Sequence, residues 1–122
     1  MQRSSGERYI TVLGELEVLN AFQLRVFRKE LSAQQVRTSL RDFENDLGKG
    51  ILLLRPLSEQ VFERARELSH QTTARLGTRS ADLLHVAAAL ELHADYLYSF
   101  DQQQRKLART LGLKLNQDKS TG

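Results

Sequence analysis

Three acidic residues stand where carboxylates could do chemistry. Asp82 lies in the first turn of the most apolar helical segment, Asp101 directly follows a strand-like segment, and Glu17 lies near the start of another helical segment. If these helices begin at one edge of a parallel sheet, the three carboxylates converge, because such sheets place ligands beyond the carboxyl ends of their strands. Converging carboxylates repel one another, and a bound cation offsets that repulsion.

The chemistry that such a cluster would support is metal-assisted. Hard oxygen ligands in a chain without cysteine favour Mg²⁺ or Mn²⁺. A divalent ion held by carboxylates polarises a phosphate, orients a water and lowers the pKa of that water, as phosphodiester hydrolysis requires. Each residue also has a structural explanation, since Asp82 and Asp101 suit helix starts and Glu17 suits a helix surface. Glu15, two positions before Glu17 and on another face, is a competing candidate for the acidic residue of this helix. Spacing alone leaves both explanations open.

The histidines do not offer a better site. His85 follows Asp82 by three residues, which suits a pair of ligands on one helix face, although a packed and hydrogen-bonded histidine is the favoured explanation. No Ser–His–Asp arrangement, glycine-rich phosphate loop or zinc-ligand spacing is present in the sequence. The acidic residues are therefore the leading candidates.

The elements that must position these residues alternate between strands and helices. Strand-like segments occur at residues 9–12, 51–54, 96–100 and 113–115. Helical periodicity or capping signals occur at residues 14–29, 32–47, 58–76, 80–90 and 101–111. This alternation predicts an α/β fold with a mainly parallel sheet flanked by helices.

Several local signals sharpen this prediction. Ser32 followed by Gln35 is typical of a capping box, and Ser58 suits the cap of the next helix. The run at 51–54 is short, continuous and apolar, which predicts a strand buried on both faces. The segment 80–90 has almost no polar face, so we expect a central, buried helix there.

Length and composition limit the possible classes of protein. The chain has 122 residues, a formal charge of +3, 40% hydrophobic residues and no cysteine. We expect a single domain over residues 1–122, with an ordered core at about 9–115 and loose ends. No apolar run approaches the roughly 20 residues of a membrane span, and the first residues do not resemble a secretory signal, which favours the cytoplasm. The slight basic excess permits a nucleic-acid partner without requiring one.

Three segments carry a resemblance to a known family. Residues 78–91 read TRSADLLHVAAALE, residues 94–101 read ADYLYSFD, and residues 16–22 read LEVLNAF. These segments resemble PIN-domain nucleases, and in particular the VapC-like toxins of bacterial toxin–antitoxin pairs. The resemblance covers about residues 9–115 and is most specific in the last third of the chain.

The resemblance implies a fold, an activity and a set of site residues. The fold would be a PIN-like three-layer domain, and the activity would be that of an Mg²⁺- or Mn²⁺-dependent ribonuclease. Asp82 and Asp101 would coordinate the metal, and Glu17 would complete the cluster or act through a metal-bound water. Ser99 would support the site. Arg105 would contact a substrate phosphate, although a solvated helix face explains that residue as well.

One departure from the family concerns its first strand. PIN domains begin with a central strand that carries a further aspartate, and this sequence has no segment of that kind, so the N-terminal strand–helix unit is missing. An engineered deletion, a start codon placed too far downstream or a natural truncation would each explain this. We expect weaker metal affinity with one carboxylate fewer. A chain that recruits a strand from another copy, or closes its sheet differently, would favour a homodimer.

Two alternatives to a nuclease remain. The chain would otherwise be a catalytically inactive PIN-like module that binds an antitoxin or another copy of itself. The predicted helices 14–29 and 32–47 carry apolar stripes for this purpose, together with Arg25, Arg28 and Lys29, and core packing explains the stripes as well. A third interpretation is an α/β domain of another kind whose acidic residues are only helix caps.

Overall fold

A computed structural model describes residues 8–94, 96–97 and 102–115 of the chain. The described elements are β1 (Tyr9–Thr11), α1 (Val12–Phe27), α2 (Ala33–Gly48), β2 (Leu53–Arg55), α3 (Glu59–Leu68), a π-helical segment (Ser69–Thr73), α4 (Ala74–Leu76), α5 (Ser80–Glu91), β3 (Tyr96–Leu97), α6 (Gln102–Thr110) and β4 (Lys114–Leu115). The predicted mixed α/β character is confirmed. Contacts divide the described residues into two compact units, one over 8–56 and the other from Leu57 onward.

The unit over residues 8–56 is built on a short parallel strand pair. β1 pairs with β2 so that Tyr9 lies opposite Leu53, and α1 packs against β1 and α2. Thr11 ends β1 and caps α1, because its Oγ1 accepts a hydrogen bond from the Gly14 backbone N–H at 3.0 Å. This cap explains why α1 begins two residues before the predicted start at Gly14.

The predicted capping box of α2 is confirmed. The Ser32 hydroxyl accepts a hydrogen bond from the Gln35 backbone N–H at 3.1 Å, and the Ser32 backbone N–H donates to Gln35 Oε1 at 2.8 Å. Two backbone donors that the helix cannot satisfy internally are thus paired. Val36, one residue later, is the buried side chain of this helix.

The prediction of a strand over 51–54 buried on both faces is wrong. Ile51 is 56% exposed and Leu54 is 40% exposed, and the strand runs from Leu53 to Arg55. Ile51 and Leu52 instead follow the end of α2, where both backbone N–H groups donate to the Asp46 carbonyl at 3.0 and 3.2 Å. These bonds hold the first half of the apolar run in a helix-ending turn.

The unit from Leu57 onward has α5 at its centre. α3, α6 and β3 all pack against α5. Val86, Ala87, Ala88 and Ala89 are essentially without solvent contact, and α6 contributes the fully buried Leu107. The prediction of a central, buried helix at 80–90 is therefore confirmed. Small side chains on α5 allow neighbouring helices to pack closely against it.

The predicted helix at 58–76 begins as expected but is interrupted. Ser58 caps α3 through a 3.3 Å bond from the Val61 backbone N–H. From Ser69 to Thr73 the helix widens into a π-helical turn, and it then resumes for one short turn, α4, before Gly77 at a φ of 67°. Hydroxyl groups accompany this change, since Thr72 Oγ1 donates to the Leu68 carbonyl at 2.7 Å.

The remaining strands form a second parallel pair. β3 pairs with β4 so that Tyr96 lies opposite Lys114. Both strand pairs of the described chain are parallel, as predicted, and the described strands form two separate two-stranded sheets. The last three residues of the predicted strand 96–100 lie outside the described residues. Among the described helices, none has the length and apolar character needed to cross a membrane.

Candidate functional site

Asp82 is the most deeply buried carboxylate among the described residues. It lies in the first turn of α5 and is 1% exposed. Its Oδ2 accepts hydrogen bonds from the backbone N–H and from Nε of Arg79, both at 3.1 Å, and its Oδ1 faces Arg79 Nη2 at 3.4 Å. The side chain therefore closes the start of the helix, where a negative charge is stabilised by the helix dipole.

Arg79 is a functional candidate that the sequence analysis missed. Its guanidinium group holds Asp82, while most of the Arg79 side chain stays in solvent. An arginine three residues before an aspartate at a helix start was the available signal, because that spacing lets the two side chains meet. An exposed arginine beside a buried carboxylate can neutralise that charge or contact an anion.

A group of hydroxyls lies next to this helix start in the sequence. The hydroxyls of Thr73 and Thr78 are 2.7 Å apart, and Thr73 Oγ1 also donates to Ser69 Oγ at 3.2 Å. Thr78 is buried. These hydrogen bonds connect the π-helical segment to the residues just before α5 and so restrict the positions of Arg79 and Asp82.

His85 and Arg105 complete the described candidates of this unit. His85 is half-buried on α5, one turn after Asp82. Arg105 on α6 is only 6% exposed, and the neighbouring Gln104 is also buried. The alternative explanation of Arg105 as part of a solvated helix face is therefore wrong. Burial of an arginine requires that its charge be compensated, which gives Arg105 a role inside the unit.

The other predicted site residues are less constrained by the structure. Glu17 is exposed on α1, in the unit over residues 8–56, and Glu15 in the first turn of the same helix is half-buried. Asp101 and Ser99 lie outside the described residues. The predicted convergence of Glu17, Asp82 and Asp101 therefore stays a prediction.

The described residues do not by themselves form a metal centre. Among them, no three histidine, aspartate or glutamate side chains lie close enough together to hold a metal ion. Both oxygens of Asp82 face Arg79, so a cation there would have to replace the guanidinium group. A complete acidic site would need Asp101 as well.

A shallow cavity on α3 is separate from these candidates. Its volume is about 440 Å³, and it is lined by Leu57, Glu59, Phe62, Glu63 and Arg66. None of the predicted site residues lines it.

Comparison of the chain with known protein families, with curated proteins and with solved structures finds no match. The functional argument therefore depends on the residues themselves.

Proposed function

We propose that the protein is a metal-dependent endoribonuclease of the PIN/VapC toxin type, which hydrolyses RNA phosphodiester bonds at an acidic site holding Mg²⁺ or Mn²⁺. The observation that carries this proposal is the burial of Asp82 at the start of the central helix α5. A carboxylate in that position is costly unless partners compensate its charge, which makes it a candidate for binding a charged ligand.

The order of elements supports the same proposal. α5 is followed by β3, which pairs in parallel with β4, and Asp101 comes four residues after the described end of β3. In parallel sheets the carboxyl end of a strand is where ligands bind. A PIN-like three-layer fold would bring that strand end and the start of α5 to one edge.

Each candidate residue has a proposed role. Asp82 and Asp101 would hold the divalent ion, and Glu17 would complete the acidic cluster or act through a metal-bound water. When bound, the ion supplies Lewis-acid activation of the phosphate and of the attacking water. Ser99 supports the carboxylates. The charge of Arg105 offsets negative charge within the unit, in place of the direct phosphate contact suggested by the sequence.

Arg79 has a place in this proposal because it neutralises Asp82 when no cation is there. Binding of a divalent ion would release the guanidinium group, whose side chain already extends into solvent. The released arginine suits a contact with an RNA phosphate, since its planar group matches phosphate oxygens.

The test is cleavage of RNA by the full chain with Mg²⁺, with Mn²⁺ and with EDTA. We expect cleavage that requires the metal and that falls at least a hundredfold in an Asp82→Asn/Asp101→Asn variant. Asparagine keeps the shape of each side chain and one acceptor oxygen, so folding should be retained. The matched control is Glu63→Gln/Glu67→Gln, which removes two exposed carboxylates from α3 and should leave the rate unchanged.

Two results would overturn the proposal. One is cleavage that persists in EDTA or in the double aspartate variant, which would identify a different activity or a contaminating nuclease. The other is the absence of cleavage by a chain that circular dichroism shows to be folded.

That second result would favour the alternative, a catalytically inactive PIN-like module that binds an antitoxin or another copy. The observation in its favour is α1, which has no buried residue although it is rich in apolar side chains. Co-purification with a small antitoxin-like protein, without any effect of metal on RNA, would support this alternative.

A further inference from the structure

The apolar side chains of α1 lie mostly on its surface. The helix spans 16 residues, none of them buried, and it carries four of the large exposed hydrophobic side chains of the described chain. These are Val12, Leu16, Leu24 and Phe27. Leu16 is 61% exposed and Phe27 is 83% exposed. Core packing therefore does not explain this part of the helix, and the exposed apolar area calls for a partner.

The four side chains form one stripe. Successive helix residues are separated by about 100° around the axis, so residues 12, 16, 24 and 27 fall within roughly a third of the circumference. We call these four side chains the α1 stripe, and Asn20 lies near the middle of it. Such a stripe is the pattern of a helix that packs along another helix.

Charge is arranged along the α1 stripe in a way that specifies the partner. Glu17 and Arg28 are both exposed and lie along the same side of the stripe, one near each end of the helix. If a second copy of α1 packs against the stripe in the antiparallel direction around a two-fold axis, residues on one side stay on that side. The acidic end of each copy then meets the basic end of the other. A parallel pair around a two-fold axis along the helices would instead place the charged residues of the two copies on opposite sides of the stripe, where they could not pair.

We propose that the α1 stripe is a self-association surface, on which a second copy of this chain binds through its own α1 in antiparallel orientation. With the two-fold axis near the level of residue 22, Leu16 lies opposite Phe27 of the other copy. Glu17 lies near Arg28 of the other copy in the same register. The two most exposed apolar side chains of the helix thus cover each other, and the charged pairs border them.

This surface shares Glu17 with the proposed acidic site and no other candidate residue, and it differs from strand recruitment, the route to a dimer expected from the sequence. One helix pair of about 24 Å buries less than the roughly 1,600 Å² of a standard interface. We therefore expect a dimer whose dissociation constant is in the micromolar range.

Sedimentation velocity over a range of concentrations measures this equilibrium. We expect the wild-type chain to shift from monomer to dimer as its concentration rises. In a Leu16→Gln/Phe27→Gln variant we expect the dissociation constant of the dimer to be at least tenfold higher. The matched control is Phe62→Gln, which removes an exposed phenylalanine from α3 and should leave the dissociation constant within about twofold. Far-UV circular dichroism checks that each variant is folded.

Charge reversal tests the antiparallel direction. Arg28→Glu should weaken the dimer several-fold, because it places a carboxylate near Glu17 of the other copy. Glu17→Arg/Arg28→Glu should restore the dimer, since the exchange preserves the complementarity. Added salt should reduce these differences.

Disulfide trapping tests the register. Because the sequence has no native cysteine, only the introduced cysteines can cross-link. Gln23→Cys lies near the two-fold axis and should cross-link to itself. Leu16→Cys should not, because its two copies would be about 17 Å apart along the axis, but it should cross-link to Phe27→Cys in a mixture. Ala21→Cys, exposed on the same helix but off the stripe, is the control and should not cross-link.

Three results would overturn the proposal. They are a monomer at all concentrations, a dimer that Leu16→Gln/Phe27→Gln leaves intact, and self-cross-linking of Leu16→Cys. The second would indicate that another surface, such as an exchanged strand, holds the dimer, and the third would indicate a parallel pair.

Discussion

At the scale of single residues, Asp82 combines a structural and a chemical role. Its carboxylate satisfies the Arg79 backbone N–H and closes the start of α5, so part of its burial is explained by helix capping alone. Capping does not require the additional contact with the Arg79 guanidinium group, which neutralises the charge. Separating the two roles requires measurements of stability and of activity on the same variants.

We predict that Asp82→Ala lowers the free energy of unfolding by about 1–3 kcal/mol, because it removes charge-assisted hydrogen bonds and leaves the Arg79 N–H without its acceptor. Urea denaturation measures this change. The control is Glu91→Ala on the same helix. Its ion pair with Arg64, at 3.1 Å, is partly exposed and should contribute less than about 1 kcal/mol. Equal losses in the two variants would contradict the assigned importance of Asp82.

The sequence predicted some of these residues better than others. Burial of Asp82 followed from its place in a segment with almost no polar side chains, which is a local pattern. The contact with Arg79 depends on the extended backbone of Arg79 before α5, a conformation that the pattern does not specify. The burial of Arg105 was missed because α6 is strongly polar, and only packing against α5 shows which of its polar residues turn inward.

At the scale of elements, two glycines show how local contacts determine the effect of a substitution on stability. Gly14 lies in the first turn of α1, where an added Cβ would come within 2.8 Å of Ile10 Cγ1. Gly48 ends α2, and an added Cβ there would meet no atom within 4 Å. Both are helical glycines, and they differ in the space around them.

We predict that Gly48→Ala raises the free energy of unfolding by about 0.5–1 kcal/mol, because alanine restricts the unfolded chain and favours the helix. Gly14→Ala should give no gain, or a loss, since the contact with Ile10 offsets the helix preference. Urea denaturation measures both changes. Ile10→Ala removes the side-chain atom that the added Cβ would contact, so adding Gly14→Ala to that variant should raise the free energy of unfolding. A gain from Gly14→Ala in the wild-type background would contradict the argument.

Element boundaries followed from sequence where a side chain specifies them. Ser32 and Gln35 encode their capping box directly, and Ser58 encodes the start of α3. The apolar run at 51–54 carries no such signal, and hydrogen bonds to the Asp46 carbonyl decided that its first half belongs to a turn. The π-helical segment was missed for a related reason, since Ser69–Thr73 keeps the periodicity of a helix while its hydroxyls change the turn.

At the scale of the whole chain, the two compact units differ in how much they bury. Within residues 8–56 the buried side chains are Tyr9, Thr11 and Val36. The described residues from Leu57 onward bury half of the residues of α5 together with parts of α3 and α6. Because burial of apolar surface is the main source of stability, the unit around α5 should be the more stable of the two.

Amide hydrogen exchange should therefore show strong protection in α5 and weak protection in α1 and α2. We expect the amides of Val86–Ala89 to exchange only through extensive unfolding, and those of α1 to exchange through local opening. Because the proposed dimer would cover α1, raising the protein concentration should increase protection there in the wild-type chain and leave it unchanged in Leu16→Gln/Phe27→Gln. Exchange measured by mass spectrometry at two concentrations resolves both effects. Equal protection of α1 and α5 at low concentration would contradict the difference in burial. A concentration effect that is as strong in the double variant would place the interface elsewhere.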